Sequence, residues 1–563
     1  MKKCFAWLLA ASLILIGGIP VLAAEEAVET AAGVAATIPE VSEMFSDRDL
    51  EGDYEEYVTV TLADGASKAD GQGVTVERDV ITVTGEGTYL FTGSLTNGQI
   101  VVNADDSDKV QLVLAGADIA CRGNAALYIL EADKVFLTLA PDTENRLSAV
   151  GEFVRNDENT VDGAVFAKCD LTMNGAGALA VECETGHGVV AKDDLKLTGG
   201  VYTISAANKG FEANDSFRMA DGKVTITAGA DGIQVENEED LSRGYVHIAG
   251  GSIAVNSLGD GISATGVMRI LGGTLNITTT DTVNSAKGLK SDHYVEIYGG
   301  EMTFVTADDG VHTNGDVLIA GGAVTISSAD DAIHADSDVF IAGGYVEAPY
   351  SYEGVEGTNV NISGGYVSVV TTDDGINAGG GADGSGFGGR GSSFEQGGST
   401  SAITISGGEV HVNAEGDGLD ANGTIHVSGG LVCVNGPASS FNGTLDFDIG
   451  ATVTGGTVIA TGPNSWLQNF GSASTQSSVL VSFSSYMEPG TEITLVDNAT
   501  GAVVLSYTAE KYFQSVVLSD PAIVVGGSYT VTAGTESQTV EMTGLIYGGG
   551  GMGGGRGGKG GRR

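Results

Sequence analysis

Short runs of alternating apolar and polar residues dominate this chain, and they do not show a helical period. Between residues 188 and 456 the runs return with fixed punctuation, as in 309-DGVHTNGDVLIAGGAVTISSAD-330, where Asp-Gly opens the phrase and Gly-Gly divides it. A repeat at a near-constant interval, here mostly 22 residues, is typical of a solenoid. The first glycine after each turn, or the residue that replaces it, is, in order, Gly188, Gly210, Gly232, Gly261, Gly288, Gly310, Ala332, Gly354, Gly375 and Gly418.

Each repeat contains three apolar stretches, which predict three short strands and a triangular coil. Apolar residues such as Ile233, Val311 and Ile333 then feed the core, and the coils stack about 4.8 Å apart. Glycine at the corners supplies the positive φ angles that sharp turns require. We predict an all-β fold, a right-handed parallel β-helix with a small C-terminal β cap. A left-handed β-helix is disfavoured because a strict hexapeptide period is absent. An antiparallel sandwich is disfavoured because the sequence repeats at a constant interval.

Composition divides the chain into successive segments. The N-terminus has two lysines, an apolar run and small residues before Ala24, which together are typical of a secretory signal peptide. A Gly-rich insertion at 379–400 interrupts the repeat, and long loops in regular solenoids are functional or disordered. The predicted segments are a signal peptide (1–23), an acidic spacer (24–42), the β-helix (43–465), a β cap (475–545) and a flexible Gly/Arg-rich tail (546–563).

The formal net charge of −47 limits the kinds of partner that this chain can bind. Nucleic acid and anionic membranes repel such a protein, whereas divalent cations neutralise it. No later segment is apolar for long enough to insert into a membrane, so we expect a secreted protein, extracellular or at the cell surface, and a monomer. Four cysteines remain after residue 24, too few for a disulfide framework.

In-register stacking turns equivalent positions into columns, and one column is acidic. Carboxylates about 4.8 Å apart repel one another by roughly 1 to 3 kcal/mol per pair. Calcium bridging adjacent coils would offset that repulsion, since it takes six to eight oxygen ligands. Alternatively, aspartate precedes glycine because it forms turns, which would leave a solvated acidic edge. The candidate calcium ligands are Asp308, Asp309, Asp330, Asp331, Glu353, Glu356, Asp373 and Asp374.

Aromatic residues and histidines form further columns. His312 and His334 occupy equivalent outward positions in successive coils, where they would contact solvent or a ligand; a zinc pair is a weaker alternative. Tyr345 and Tyr366 stack in the same way and predict a flat platform for sugar rings, or else an ordinary cross-strand ladder. The remaining candidate carbohydrate-binding residues are Tyr350 and Tyr352 beside the acidic column, and Phe387 and Arg390 in the insertion.

Four segments give the chain a family resemblance: 187-HGVVAKDDLKLTGG-200, 352-YEGVEG-357, 374-DGINAGGGADGSGFGGRG-391 and 417-DGLDANGTIHVSGG-430. They resemble the secreted bacterial carbohydrate-binding β-helix proteins first described from a cellulolytic Clostridium, and the resemblance covers residues 43 to 545. It implies a fold akin to pectate lyases, bound calcium, and binding to cellulose and acidic pectin-type polysaccharide. The calcium that the resemblance implies can be assigned only to the acidic corner residues of these motifs.

We therefore expect a non-catalytic, calcium-bearing protein that binds plant cell-wall polysaccharides such as cellulose or pectate. The first alternative is a β-helix lyase or hydrolase acting on acidic polysaccharide, with a basic side chain that abstracts a proton. A structural surface adhesin is the second alternative. The candidate bases for a lyase are Lys287, Lys290, His312, His334 and Arg390.

Overall fold

The computed structural model describes residues 38–154, 159–240, 242–379, 400–438 and 442–549. In this part the chain is almost entirely β, and nearly all strands of the repeat pair in parallel with the equivalent strand of the next coil. The predicted parallel β-helix is therefore confirmed. Three faces run along its axis, and each coil contributes one strand to face 1, the next to face 2 and the last to face 3.

Face 1 is a sheet of sixteen strands in the described part of the chain, opening with one antiparallel pair. Its strands are Val74–Glu77, Val80–Val83, Gln99–Asn103, Leu127–Glu131, Gly163–Ala167, His187–Ala191, Phe211–Ala213, Ile233–Val235, Ile262–Ala264, Leu289–Ser291, Val311–Thr313, Ile333–Ala335, Val355–Glu356, Ile376–Ala378, Leu419–Ala421 and Leu445–Phe447.

Faces 2 and 3 are joined by long strands that bend from one face into the other: Lys109–Arg122, Asp194–Ala206 and Ser216–Ala228. The other strands of face 2 are Lys134–Leu139, Asp170–Gly175, Tyr245–Ile248, Met268–Ile270, Tyr294–Ile297, Asp316–Ile319, Asp338–Ile341, Asn359–Ile362, Ala402–Ile405, Thr424–Val427 and Gly450–Val453. Those of face 3 are Glu144–Val150, Ala178–Cys183, Ser252–Ser257, Thr274–Thr279, Glu301–Thr306, Ala323–Ser328, Tyr345–Ser351, Tyr366–Thr371, Glu409–Ala414, Leu431–Asn435 and Thr457–Gly462.

Shorter elements close the two ends of the solenoid. The N-terminal elements are a 3-10 turn at Val41–Glu43, a helix at Asp47–Leu50, and the strands Val58–Leu62, Lys68–Ala69 and Gly87–Leu95. The C-terminal strands are Ser478–Met487, Glu492–Asp497, Val503–Thr508, Phe513–Ser519, Ser528–Ala533, Glu536–Glu541 and Ile546–Tyr547. Phe513–Ser519 pairs antiparallel with the last face 3 strand and so covers its open edge.

A segment near the N-terminus, the N-terminal strap (residues 44–53), lies along face 2 and crosses several coils. The Met44 carbonyl accepts a hydrogen bond from Arg218 (3.1 Å), and the Asp53 carbonyl accepts one from Gln111 (3.2 Å). Between these ends, the buried Asp49 carboxylate accepts a hydrogen bond from the Lys134 ammonium at 2.5 Å. The strap thus ties together coils that are far apart in the sequence.

Glycines at the two kinds of corner serve different physical needs. The second glycine of each Gly-Gly pair has a positive φ, as at Gly322 and Gly344, both at 82°. The glycine after the corner acid, such as Gly310, does not, so the predicted positive φ holds only for the Gly-Gly corners. Gly310 is needed for space, because a Cβ there would overlap the Ile326 methyl and lie 2.7 Å from the carbonyl oxygen of Ala332.

Replacing Gly310 by alanine is expected to lower the free energy of unfolding by about 1 to 3 kcal/mol through overpacking. The coil that naturally carries Ala332 has the smaller Ala348 at the position corresponding to Ile326, since Glu347 pairs with Thr325. A Gly310→Ala/Ile326→Ala double variant should therefore lose less stability than the two single variants summed. Urea unfolding of the four proteins measures this coupling, and strict additivity would contradict the steric explanation.

The four cysteines of the described chain, Cys121, Cys169, Cys183 and Cys433, are buried and unpaired. Cys121 and Cys183 occupy the same column, but Ala149 lies between them, so they are two coil steps apart. That separation exceeds what a disulfide spans. Among the residues described, no helix has the length and apolar character that crossing a membrane requires.

Candidate functional site

The acidic column lies at the corner that leads into face 1, and its backbone is continuous from coil to coil. Each corner residue's carbonyl accepts a hydrogen bond from the glycine or alanine of the preceding coil, as Asp331 does from Gly310 at 2.9 Å. The carboxylates also link coils: one Asp309 oxygen accepts from the Asp331 backbone N–H at 3.1 Å, and Asp374 does the same for Asp417 at 2.6 Å. One oxygen of these aspartates is therefore structural, and the other is left for a cation.

At Lys287 the column contains its own cation. The buried ammonium lies 2.5 Å from an Asp308 oxygen and 3.4 Å from Asp309. His312 adds a contact of 2.8 Å between Nδ1 and the same Asp309 oxygen. Burial alone would raise the pKa of Asp309, but His312 and Lys287 outweigh it and lower that pKa to about 2. Amino-acid side chains thus balance the charge in these coils.

The next coil has a histidine at its centre. His334 Nδ1 lies 2.9 Å from Glu356 and 3.2 Å from Asp331, and Nε2 lies 3.3 Å from Asp336. Burial lowers the pKa of His334, but hydrogen bonds to Asp331 and Glu356 outweigh it and raise the pKa to about 12. One nitrogen or oxygen from each of Asp331, His334 and Glu356 lies within 4.8 Å of the others, as metal ligands must.

His312 and His334 stack face to face, with ring centroids 5.0 Å apart and planes 7° apart. The sequence placed them side by side, and they are, but it also placed them on the outer surface. The structure contradicts that exposure: His312 is 6% exposed and His334 is not exposed at all. Carboxylates hold both rings: His312 contacts Asp309, and His334 contacts Asp331, Asp336 and Glu356.

Further along, the acidic column has no such cation. One oxygen each of Asp374, Asp417 and Asp420 lies within 4.8 Å of the other two. Burial, reinforced by neighbouring carboxylates, raises the pKa of Asp374 to about 7 and that of Asp420 to about 8. None of the described basic side chains forms a salt bridge with these three acids. This cluster is where an external cation would relieve the most repulsion.

The tyrosines predicted as a platform do stack. The Tyr345 and Tyr366 rings lie 4.8 Å apart and 6° from parallel, and His411 continues the row at 5.4 Å from Tyr366. Tyr345 is 40% exposed. These rings stand at the beginning of the face 3 strands, whereas the acidic column follows their ends. A seven-residue strand separates the two features by about 20 Å.

Tyr350 and Tyr352 lie at the other end of the same strand, beside the acidic column as predicted from the sequence. Tyr350 is 56% exposed, and the Tyr352 hydroxyl donates a hydrogen bond to Asp373. Glu353 is further along the same corner and accepts a hydrogen bond from the Asn377 amide at 3.0 Å. Phe387 and Arg390, predicted in the insertion, lie outside the described residues.

Three residues with a place in this region were absent from the predicted set. Asp417 and Asp420 occupy the same columns as the predicted ligands, but beyond the insertion, so the period alone could have identified them. Trp466 follows the last face 3 strand and is 45% exposed. It lies outside the repeat, and no periodic signal pointed to it.

Comparisons with known proteins bear on what this surface does. Residues 77–332 match the model of a family described as carbohydrate-binding domain-containing protein. A protein of that description from Acetivibrio thermocellus is 35% identical over 143 residues, which are 25% of this chain and 49% of the relative. The chain thus spans about half of that relative's length. A solved structure, a polysaccharide lyase-like protein from C. thermocellum as a gadolinium derivative, is 29% identical, with 46% of this chain and 96% of that one covered and a TM-score of 0.40.

Proposed function

We propose a non-catalytic polysaccharide-binding protein, on the premise that residues 77–332 match the model of the carbohydrate-binding domain-containing protein family, in agreement with the resemblance seen in the sequence. Its ligands are plant cell-wall glycans such as cellulose or pectate. The observation that carries this proposal is the parallel pair formed by the exposed Tyr345 and the half-buried Tyr366. Both residues lie beyond the matched region, so the argument for them is physical.

Because the two parallel rings are only 4.8 Å apart, they cover one another's inner faces, and the face left for the C–H groups of a pyranose is the outer π face of Tyr345, which pairs in register with the small Ala323. The edges of Tyr345, Tyr366 and His411 form a row along the solenoid axis, which gives a bound glycan further contacts beside the outer face of Tyr345. Glu347 lies within 3.1 Å of the Tyr345 hydroxyl and adds an acceptor for sugar hydroxyls at the edge of the platform.

Calcium is the second part of the proposal, and the best-supported site is Asp374, Asp417 and Asp420. These oxygens converge, and the described side chains supply no positive charge to them. Carboxylate oxygens are the ligands that calcium prefers. Among the other predicted ligands, Asp308 and Asp309 contact Lys287, and Asp331 and Glu356 contact His334, so a cation there would have to compete with these side chains.

Binding without catalysis is supported by the state of the candidate bases. A lyase base must be free to take a proton from the sugar. Lys287 is 3% exposed and held by two carboxylates, and His334 is fully buried among three. Lys290 is more exposed, but its ammonium lies 3.6 Å from Asp260. The sequence pattern of residues 1–23 further supports secretion, and we propose that the protein acts as a monomer.

Removing both rings, in a Tyr345→Ala/Tyr366→Ala variant, is expected to weaken retention on insoluble cellulose or pectate about tenfold or more. The measurement is a depletion isotherm of the full chain with each glycan, with calcium and with EDTA. Tyr512→Ala is the matched control, since Tyr512 is 46% exposed on the C-terminal cap and should not matter. Absence of retention of the parent protein on any glycan would disprove the proposed function.

The lyase alternative has its own assay. Polygalacturonate with calcium is incubated with the protein, and the ultraviolet absorbance of unsaturated products is followed. We expect no product. Product formed by the parent protein and lost in Lys290→Ala would show that the surface is catalytic.

A further inference from the structure

Trp466 is an exposed aromatic side chain held at the C-terminal end of face 1. Its neighbour Leu467 packs against the hydrophobic core, which anchors the loop, while the indole itself is 45% exposed. The Asp446 carboxylate lies beside the indole and accepts a hydrogen bond from Gln468 at 2.9 Å. The ring is therefore held next to Asp446 by the anchored loop.

The surroundings of this ring connect it to the acidic column. Asp446 pairs in register with Asp420, one coil step away. The edge of the indole packs against Gly443, where a Cβ would lie 2.8 Å from the ring, and the Gly443 N–H donates to Asp417. A ligand on the indole would lie next to the Asp374, Asp417 and Asp420 cluster, and at the opposite edge of face 3 from Tyr345 and Tyr366.

The chemistry around Trp466 favours an uncharged sugar. The carboxylate beside the ring is that of Asp446, with Asp448 two residues further along the chain and Asp420 paired with Asp446 in register, and carboxylates accept hydrogen bonds. Sugar hydroxyls donate to such groups, and hydrogen bonds to carboxylates are the stronger kind. A uronate would instead bring a negative charge towards Asp446 and Asp448, neither of which forms a salt bridge with a described basic side chain.

We propose that Trp466 is the platform of a neutral-sugar subsite at the C-terminal end of face 1, separate from the tyrosine platform. One face of a pyranose packs on the indole, and its hydroxyls donate to Asp446 and Asp448. The subsite rests on the proposed polysaccharide-binding function and extends it to a second contact region and a ligand class.

The sequence offers a direct reporter of this subsite. The chain contains two tryptophans, Trp7 and Trp466, so a Trp7→Phe full-length protein fluoresces from Trp466 alone. Titration with cellohexaose should quench or blue-shift the emission, because the sugar displaces water from the indole. Hexagalacturonate, with calcium present or absent, should change it much less.

Affinity measurements on variants complete the test. By isothermal titration calorimetry, Trp466→Ala should bind cellohexaose about tenfold more weakly, and Trp466→Tyr should recover most of the affinity. Tyr486→Ala, another exposed aromatic at 49%, is the matched control and should bind as the parent does. Unchanged emission at saturating cellohexaose, or Trp466→Ala affinity within twofold of the parent, would overturn the subsite even if insoluble glycans still retain the protein. A larger fluorescence response to hexagalacturonate than to cellohexaose would show that the subsite does not prefer a neutral sugar.

Discussion

Replacing Asp49 by asparagine is expected to lower the free energy of unfolding by about 3 to 5 kcal/mol, the usual cost of breaking a buried ion pair from one side. The Asp49 carboxylate is fully buried, with Lys134 at 2.5 Å and Lys196 at 3.4 Å. Thr172 donates a further hydrogen bond at 2.7 Å. Without the carboxylate, Lys134 loses its partner, and Lys196 keeps only the more distant Asp194 at 4.0 Å, although each lysine is just 8% exposed. Urea unfolding followed by circular dichroism measures the loss.

Two comparisons separate this explanation from a general effect of mutating the N-terminal strap. Asp47 belongs to the same short helix but is exposed, so Asp47→Asn should change stability by no more than about 0.5 kcal/mol. Adding Lys134→Met to Asp49→Asn removes one of the stranded charges and should restore part of the loss. If Asp47→Asn and Asp49→Asn were equally destabilising, the buried ion pairs would not be the cause.

Acid should have the same effect as the Asp49 substitution. Burial raises the pKa of Asp49, but the hydrogen bonds from Lys134 and Thr172 outweigh it and hold the pKa well below the ordinary range. A carboxyl whose pKa is lowered by folding stabilises the protein above its unfolded pKa, near 4, and loses that contribution as the pH falls further. The stability difference between the parent and Asp49→Asn should therefore shrink below about pH 4.

The repeat made the coils predictable, because a 22-residue return constrains which side chains share a column. It correctly placed His312 beside His334 and Tyr345 beside Tyr366. The N-terminal strap could not be predicted in this way. Asp49 meets Lys134 and Lys196, 85 and 147 residues further along, and a single aspartate in an acidic N-terminal stretch has no periodic partner.

The alternation of apolar and polar residues also could not predict which side chains of the acidic column are buried. Alternation predicted that His334 points away from the core, and its register in face 1 agrees. What the pattern could not show is that Asp331, Asp336 and Glu356 enclose the ring from neighbouring turns and exclude solvent. Similarly, the cation that balances Asp308 comes from Lys287, whose coil follows a turn insertion, so only the folded chain shows which carboxylates remain unbalanced.

Calcium is expected to raise the melting temperature of the EDTA-treated protein, and the unbalanced acids should account for the gain. A cation at one hundred times its dissociation constant stabilises a protein that binds it only when folded by about 2.7 kcal/mol. Asp420→Asn removes one of three converging carboxylates and should weaken calcium binding about tenfold or more. Calorimetric titration with calcium and thermal unfolding at fixed calcium measure the two effects.

Asp308→Asn is the informative control for this calcium site. Asp308 is a predicted ligand, but its carboxylate is already held by Lys287, so calcium affinity should change less than threefold. The opposite result, with Asp308→Asn weakening binding and Asp420→Asn without effect, would place the ion at the Lys287 end of the column and contradict the argument from charge balance. No calcium binding by the parent protein would show that the carboxylates of the column serve only their contacts with Lys287, His312 and His334 and the backbone hydrogen bonds between coils.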